Sequence, residues 1–138
     1  MIEIVPFEPS HLIKIDPPVM TIRQILEFTR QYQEKGPAFT GIEEDNVLGC
    51  GGIIIDGEIG IVWAFLSNQI RKRPMALHRI VKQKLKEFER DNRLKRIIAA
   101  SHENFYAAHR WLESLGFKKR DIIENYGNIG MTYMRFEL

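Results

Sequence analysis

A run of cations lies where a predicted strand meets a predicted helix. Arg71, Lys72 and Arg73 are consecutive and precede Pro74 directly, in the stretch SNQIRKRPMALHRIV. Proline suits the first turn of a helix because its missing N–H would have no partner there. A helix N-terminus combines unpaired N–H groups with the positive end of the helix dipole, and arginine adds charge-assisted hydrogen bonds to phosphate. The stretch therefore predicts a binding site for a phosphate-like anion.

Hydrophobic periodicity divides the chain into strands and helices. Strands are predicted in the runs MIEIVPF, AFTGIEE, VLGCGGIIID, EIGIVWAFLS, LKRIIAAS, FKKRDIIEN and IGMTYMRFEL. Helices are predicted over EPSHLIKI and over residues 21–35, 74–91 and 105–115, and Gly116 ends the last of them. The dipeptides Asp45-Asn46 and Asp56-Gly57, and the tripeptide Tyr126-Gly127-Asn128, predict turns between strands.

The order of these elements predicts one α/β domain that spans residues 1–138. Tight turns join antiparallel strands, whereas a helical crossover joins parallel ones. Residues 38–67 therefore predict an antiparallel meander, and the helices that follow predict parallel pairing beside it. We expect a mixed, mostly antiparallel sheet of about 6–7 strands with helices on both faces.

Composition excludes several classes of protein. A chain of 138 residues with 44% hydrophobic content fits one ordinary core. No run reaches the roughly 18 apolar residues of a membrane span, and the N-terminal stretch carries charges where a signal peptide is apolar, so we expect a cytoplasmic protein without a membrane partner. Cys50 is the only cysteine, which excludes an internal disulfide and a cysteine-based zinc site, and we expect no metal. Its apolar neighbours favour a buried strand residue over a catalytic thiol.

The order β-α-α-β-β-β-α-β-α-β-β resembles that of the GNAT N-acetyltransferase superfamily, over essentially the whole chain. The stretch NFYAAHRWLESLGF, residues 104–117, is similar to the family's second motif. Ala108 stands at the motif's small position, the ending matches E-x-L-G-F, and Asn104 lies one residue earlier than the usual spacing. An amphipathic helix with a glycine cap would give the same pattern without a functional site.

The basic turn is similar to the family's R/Q-x-x-G-x-G/A loop, which binds the pyrophosphate of coenzyme A. Arg71 and Ala76 match this pattern, but Pro74 replaces the central glycine. Proline lacks an N–H, and the side chains at this turn limit the approach of a pyrophosphate, so the neighbouring cations would have to compensate. The resemblance implies acetyl-CoA as cosubstrate, with contacts from Arg71, Lys72, Arg73, Met75, Ala76 and, near the pantetheine, Asn104.

The resemblance also implies that the fourth strand offers backbone groups to the pantetheine and the thioester, here at Ala64, Phe65 and Leu66, although the same run fits an ordinary core strand. The tyrosine that acts as acid in many family members is replaced by Leu112, and Tyr106 is the alternative on that helix.

No carboxylate follows Glu58 in the fourth strand, where the family often has a base. Glu43 and Glu44, near the end of the second strand, are the alternatives, acting through water. The sequence therefore leaves the catalytic residues unknown.

Two functions from different classes remain open. One is an acyl-CoA-dependent N-acyltransferase that acts on an unidentified amine, and the other is a GNAT-fold module that has lost catalysis and binds a protein or an anion. A looser resemblance to GNAT-like proteins of tailed bacteriophages, carried by RK-x-P-x-AL and A-x-RWL-x-x-LGF, is consistent with a phage structural or accessory protein. The net charge is only +2 and no aromatic residues are interleaved with the cations, which disfavours nucleic acid. The sequence leaves open whether the protein is a homodimer.

Overall fold

The computed structural model describes residues 1–15, 23, 27, 35–68, 73–102, 106–126 and 131–138. In this part of the chain the strands are β1 (Glu3–Pro6), β2 (Ala38–Glu43), β3 (Asn46–Asp56), β4 (Ile59–Leu66), β5 (Arg96–His102), β6 (Lys118–Tyr126) and β7 (Met131–Glu137). The helices are α1 (Pro9–Ile13), α2 (Pro74–Asn92) and α3 (Tyr106–Ser114). All seven predicted strands and these three helices are confirmed, whereas the helix predicted over residues 21–35 lies mostly outside the described residues. No described helix combines the length and hydropathy that a membrane span requires.

The seven strands form a single sheet in the order β1-β2-β3-β4-β5-β7-β6. Only β4 and β5 are parallel neighbours in it, and every other neighbouring pair is antiparallel. Helix α2 makes the crossover that parallel strands require. The mixed, mostly antiparallel sheet is thus confirmed, and β7 lies between β5 and β6.

The β2–β3 turn lies one residue away from its predicted position. Glu43 pairs with Asn46, so the two loop residues are Glu44 and Asp45, with φ of 51° and 65°. Two residues at positive φ match the twist of the flanking strands, which is why such loops dominate short hairpins. The prediction of Asp45-Asn46 as the turn was therefore wrong, because Asn46 is already in β3.

The β3–β4 turn is formed by Gly57 and Glu58, between the paired residues Asp56 and Ile59. Gly57 has φ of 61°, so the glycine of the predicted dipeptide is confirmed as a turn residue. At the third predicted turn, Tyr126 belongs to β6, and residues 127–130 lie outside the described part of the chain.

Helices pack on both faces of the sheet, as predicted. The face that carries α2 and α3, here called the crossover face, holds a core of Ile53, Leu85, Phe88, Leu94, Ile97, Ala99, Leu112, Leu115, Phe117 and Phe136. The opposite face, under α1, holds Phe7, Leu12, Ile15, Val47 and Cys50. Side chains alternate along a strand, so Cys50 and Ile53 of β3 point to opposite faces.

The end of α3 explains the L-G-F sequence in structural terms. Gly116 has φ of 104°, its N–H donates to the carbonyl of Glu113 at 3.0 Å, and the N–H of Phe117 donates to the carbonyl of Leu112 at 3.0 Å. This pair of bonds is the Schellman arrangement, in which glycine accepts the left-handed conformation without steric cost. Leu112 and Phe117 both lie in the core of the crossover face, so this part of the motif serves packing.

Candidate functional site

Strands β4 and β5 separate toward their carboxyl ends. They pair in register only from Ile59 with Arg96 to Val62 with Ala99. Beyond that point, β4 stays paired with β3 as far as Leu66, and β5 stays paired with β7 as far as His102. Among the described residues, 63–66 of β4 and 100–102 of β5 therefore border a gap in the sheet, which we call the splay.

The backbone of β4 forms one wall of the splay. The N–H of Arg96 donates to the carbonyl of Glu58 at 3.2 Å, so even-numbered residues of this strand direct their polar backbone groups toward β5. By the same alternation, the N–H and C=O groups of Ala64 and Leu66 point into the splay. Backbone polar groups need partners when they are buried, so a ligand that enters the splay finds donors and acceptors already aligned.

Phe65, the third residue predicted on this strand, has a different environment. Its ring lies 6.0 Å from that of Trp63, and both pack against the core under α1. The backbone groups of an odd-numbered residue on β4 are directed toward β3. Of the three residues predicted on this strand, Ala64 and Leu66 therefore direct their backbone groups into the splay. The ring of Phe65 packs instead against the core under α1.

Helix α2 begins at Pro74, shortly after the open end of β4. Arg73 is its N-cap residue and makes no side-chain capping bond, and no acidic residue lies in the first turn. The N–H groups of Met75 and Ala76 are in that first turn, where no carbonyl of the helix can accept them. The predicted anion site at a helix N-terminus thus has its helix in place, while Arg71 and Lys72 lie outside the described residues.

Arg73 is held by a carboxylate from the hairpin. Its Nε donates to Oε1 of Glu43 at 3.2 Å, and the Glu43 side chain is only 18% exposed. The other oxygen, Oε2, has no hydrogen bond among the described residues and lies 3.5 Å from the amino group of Met1. The bond from Arg73 thus engages one oxygen of the carboxylate that the sequence offered as a base.

The hairpin that carries Glu43 and Glu44 lies away from the splay. Strand β2 is separated from β4 by β3, and two strand spacings amount to about 10 Å. Glu44 is exposed in the turn itself. Glu43 nevertheless lines a cavity of about 260 Å³ together with Arg73 and Ala76 of the α2 N-terminus. A role of either glutamate as a base through water stays a prediction.

Tyr106 and His109 lie in the first turns of α3. Tyr106 is 64% exposed, and its ring meets that of His109 edge-on at a centroid distance of 6.0 Å. His109 is buried and lies 5.3 Å from the ring of Phe136. Asn104, the motif residue expected near the pantetheine, lies outside the described residues.

A groove of about 630 Å³ opens between α2 and α3. Its lining comprises Pro74, Met75, His78, Arg79, Lys82, Gln83 and Lys86 of α2, with Trp111 and Ser114 of α3. His78, Lys82 and Lys86 recur at four-residue spacing, which places them along one side of the helix. Arg79, Lys82 and Lys86 form no ion pair with any described residue.

Neither these cations nor Trp111 is singled out by the sequence analysis. The sequence signal that could have found them is a row of basic residues along one side of a helix. His78, Lys82 and Lys86 follow one another at four-residue spacing, with no acidic residue among them. Most exposed helices alternate charge along a face, because opposite charges three or four residues apart stabilise the helix.

A buried polar chain lies on the other face, under α1. Oγ1 of Thr40 lies 2.7 Å from Nδ1 of His11 and 3.5 Å from Sγ of Cys50. Burial raises the pKa of the Cys50 thiol to about 11, which keeps it protonated at neutral pH. The interpretation of Cys50 as a buried strand residue is confirmed.

No protein-family model matches the sequence, and no curated protein matches it. Solved structures do match over nearly the whole chain. The ribosomal-protein-S18-alanine N-acetyltransferase from Escherichia coli superposes with a TM-score of 0.76 at 13% identity, covering 100% of this chain and 93% of the other. A chimeric spermidine N-acetyltransferase from Vibrio cholerae gives 0.74 at 13% identity, with 99% and 94% covered.

A third match is a GNAT family acetyltransferase from Elizabethkingia anophelis with acetyl-CoA bound, with a TM-score of 0.72 at 15% identity and coverage of 99% and 97%. At identities this low, the superpositions establish a shared fold alone. The activity has to be argued from the residues of each site. The TM-scores of 0.72 to 0.76, over nearly the full length of both chains in each pair, show that the overall fold is shared. The chain has the fold of the GNAT acetyltransferases.

Proposed function

We propose that the protein is an acyl-CoA-dependent N-acyltransferase that transfers an acetyl group from acetyl-CoA to an amine. The observation that carries this proposal is the open backbone of Ala64 and Leu66 beside the N-terminus of α2. A pantetheine arm needs a narrow slot with aligned backbone groups, and a pyrophosphate needs an anion site at its end. The neighbour solved with acetyl-CoA bound has the same fold, which supports this choice of cosubstrate.

In the proposed complex, the pyrophosphate lies at the first turn of α2. Arg73 contacts it with the two terminal guanidinium nitrogens, because Glu43 engages only Nε. The N–H groups of Met75 and Ala76 also donate to it. Arg71, Lys72 and, near the pantetheine, Asn104 keep the roles that the sequence predicted for them. Pro74 removes one donor from this turn, so side-chain charge takes a larger share of the binding than it would with glycine.

Transfer itself requires few side chains. The neutral amine attacks the thioester carbonyl, the C–N bond forms, the C–S bond breaks, the amine loses a proton and the thiolate gains one. A backbone N–H at Ala64 would stabilise the negative charge that develops on the carbonyl oxygen. Neither β4 nor β5 contains an aspartate or glutamate that could act as a base. We therefore propose that catalysis depends on the positioning of the amine against the thioester and on this N–H.

The proposal is tested by measuring thiol release from acetyl-CoA in the presence of a panel of amines. The panel includes alanine-initiated peptides and polyamines, because two structural neighbours are named for such acceptors. Thiol release that depends on one class of amine supports the proposal. Coenzyme A binding without turnover on any amine would favour the second candidate, a GNAT-fold module without catalysis. The phage origin, the cytoplasmic location and the homodimer stay predictions from the sequence.

A further inference from the structure

One short segment of the chain is strongly basic. Residues 71–86 contain seven of the 20 lysine and arginine residues and none of the 18 aspartate and glutamate residues. The remainder therefore has 13 cations and 18 acids, a net charge of −5, whereas the whole chain has +2. A charge distribution of this kind is typical of a surface that binds a partner of opposite charge.

Part of this charge lies along one exposed side of α2. The surface is formed by residues at intervals of four, three and four, which a helix places on one side: Met75, Arg79, Lys82 and Lys86. All four side chains are exposed, and we call this surface the basic face. Its three cations form no ion pair within the described part of the chain. Because like charges four residues apart destabilise a helix, a negative partner would relieve the repulsion between Lys82 and Lys86.

The basic face is long enough for a protein partner. With a rise of 1.5 Å per residue, Lys82 and Lys86 lie about 12 and 18 Å along the helix from Pro74. A cosubstrate whose phosphates sit at the first turn of α2 leaves these two lysines without a contact. One side of a standard protein interface buries about 800 Å², a patch about 30 Å across, so a protein bound at that turn would cover them.

An exposed apolar residue lies at the start of the basic face. Met75 is 76% exposed and follows Pro74, which is also exposed. Protein interfaces combine an apolar centre with a polar rim, and methionine adapts its shape to the surface that it meets. The basic face thus has an apolar contact beside the predicted phosphate site and cations further along the helix.

The first turn of α2 suits a single phosphate group. Pro74 removes one N–H, which leaves the N–H groups of Met75 and Ala76 and the two terminal nitrogens of Arg73 as donors. A phosphopantetheine arm on a protein serine carries one phosphodiester, whereas coenzyme A carries a pyrophosphate. The attached arm therefore needs fewer donors at this turn, and its pantetheine would enter the splay in the same way.

We infer that the protein also takes acyl groups from an acidic acyl carrier protein, whose phosphopantetheine arm enters the splay and whose surface docks on the basic face. The inference rests on the proposed transferase function. The amine attacks the thioester carbonyl of the arm, the C–N bond forms and the C–S bond breaks. The amine loses a proton, the thiolate gains one, and the carrier leaves with a free thiol. Nucleic acid fits this surface less well, because residues 71–86 contain no phenylalanine, tryptophan or tyrosine on which bases could stack.

Calorimetric titration of the whole protein at low salt tests the docking. The ligands are an acyl carrier protein with its arm, the same carrier without the arm, and free phosphopantetheine. The carrier with its arm is expected to bind about tenfold or more tightly than either of the others, because only it engages the splay and the basic face together. An increase in ionic strength from about 0.01 to 0.15 M should reduce this advantage, since the Debye length falls from about 30 to 8 Å. Coenzyme A should displace the carrier, because both occupy the splay.

Charge reversal on the basic face isolates its contribution. Lys82→Glu with Lys86→Glu is expected to weaken binding of the carrier with its arm about tenfold, and to leave the affinity for free phosphopantetheine within about twofold. The matched control is Lys118→Glu with Lys119→Glu, which makes the same change in charge at exposed positions of β6 and should stay within about threefold of the wild-type value. A thermal melt of each variant checks that the fold is intact.

The acetylated carrier is then compared with acetyl-CoA as a donor, on any amine that accepts from acetyl-CoA, and thiol release from both is expected. Transfer from acetyl-CoA alone, or equal affinities for free phosphopantetheine and for the carrier with its arm, would overturn the inference and leave the transferase proposal standing. Tighter binding of a single-stranded RNA than of the carrier would also overturn it. Failure of coenzyme A, phosphopantetheine and the carrier to bind would remove the transferase proposal and the inference together.

Discussion

Arg73 and Glu43 connect the first turn of α2 to the second strand of the sheet, across 30 residues of sequence. The bond joins Nε to Oε1 at 3.2 Å, with Arg73 52% exposed and Glu43 18% exposed. A guanidinium held through Nε keeps its two terminal nitrogens for another anion, because the donors form a rigid fork. Glu43, which the sequence offered as a base, thus fits the role of a residue that positions Arg73.

Replacing Arg73 tests the anion site. Arg73→Ala is expected to weaken acetyl-CoA binding about tenfold or more, because a charge-assisted contact to phosphate is lost. Glu43→Gln keeps an oxygen that can accept from Nε, so its affinity should stay within about threefold of the wild-type value. Calorimetry provides both numbers, and Lys119→Ala on β6 is the control for lost charge. Unchanged affinity in Arg73→Ala would remove this residue from the site.

Replacing Ala64 tests the backbone wall of the splay. Ala64→Pro removes the N–H assigned to the thioester carbonyl and should lower kcat about 100-fold, the usual loss when one such donor is removed. Ala64→Gly retains the N–H and is expected to keep most of the activity. Binding of desulfo-CoA and a thermal melt show whether the proline variant is folded. A folded Ala64→Pro variant with wild-type kcat would contradict the assignment.

Tyr106 provides a test of the predicted acid. Its ring is 64% exposed at the start of α3, so we expect Tyr106→Phe to change kcat by less than about twofold. The substitution keeps the edge-on ring contact with His109 and removes only the hydroxyl. A loss of about 100-fold in kcat, with binding of acetyl-CoA intact, would instead make Tyr106 the acid that protonates the thiolate.

The buried polar chain under α1 predicts a loss of stability in mild acid. Nδ1 of His11 accepts from the N–H of Glu8 at 3.1 Å and contacts Thr40, and burial lowers the pKa of His11 below its ordinary 6.5. Below pH 6.5 the unfolded chain therefore binds more protons at this residue than the folded one does. The free energy of unfolding should be steady above this pH and should decrease as the pH falls below it.

Urea unfolding at neutral pH and in mild acid, for the wild-type protein and for His11→Gln, isolates this contribution. Glutamine can replace histidine as the reciprocal partner in the helix cap, so the variant should fold and should lose less stability on acidification. An equal loss in both proteins would mean that other groups cause the effect. Asp121 and Glu137 are such groups, since Arg135 and Arg96 hold the pKa values of these two carboxyls below the usual range, but they act at lower pH.

Much of the fold could be predicted from local pattern. The alternation in VLGCGGIIID and the helical stripe over residues 74–91 mark elements whose buried faces are set by period alone. Gly116 marks the end of α3 because few other residues accept its φ of 104°. The error at the first hairpin has a physical cause: Glu44 adopts a positive φ that its own type disfavours, because the pairing of Glu43 with Asn46 fixes the loop.

The site was less predictable because it depends on contacts between distant parts of the chain. The splay arises where β4 leaves β5, and no periodicity within β4 marks Val62 as the last paired residue. The bond from Arg73 to Glu43 likewise joins segments that only the folded sheet brings together. The same holds for Trp111 and Lys82, which line one groove from different helices. Resemblance to a family located the turn at α2, and the structure added the residues that surround it.

The proposed function requires that the splay and the first turn of α2 bind an acyl-CoA. Calorimetric titration with desulfo-CoA, which has no thiol to react, tests it most directly, with acetyl-CoA titrated in parallel. We expect saturable binding of one ligand per chain, an increase in melting temperature, and weaker binding in Arg73→Ala. The absence of both heat and a thermal shift at about 1 mM ligand, a concentration that reveals even weak binding, would contradict it.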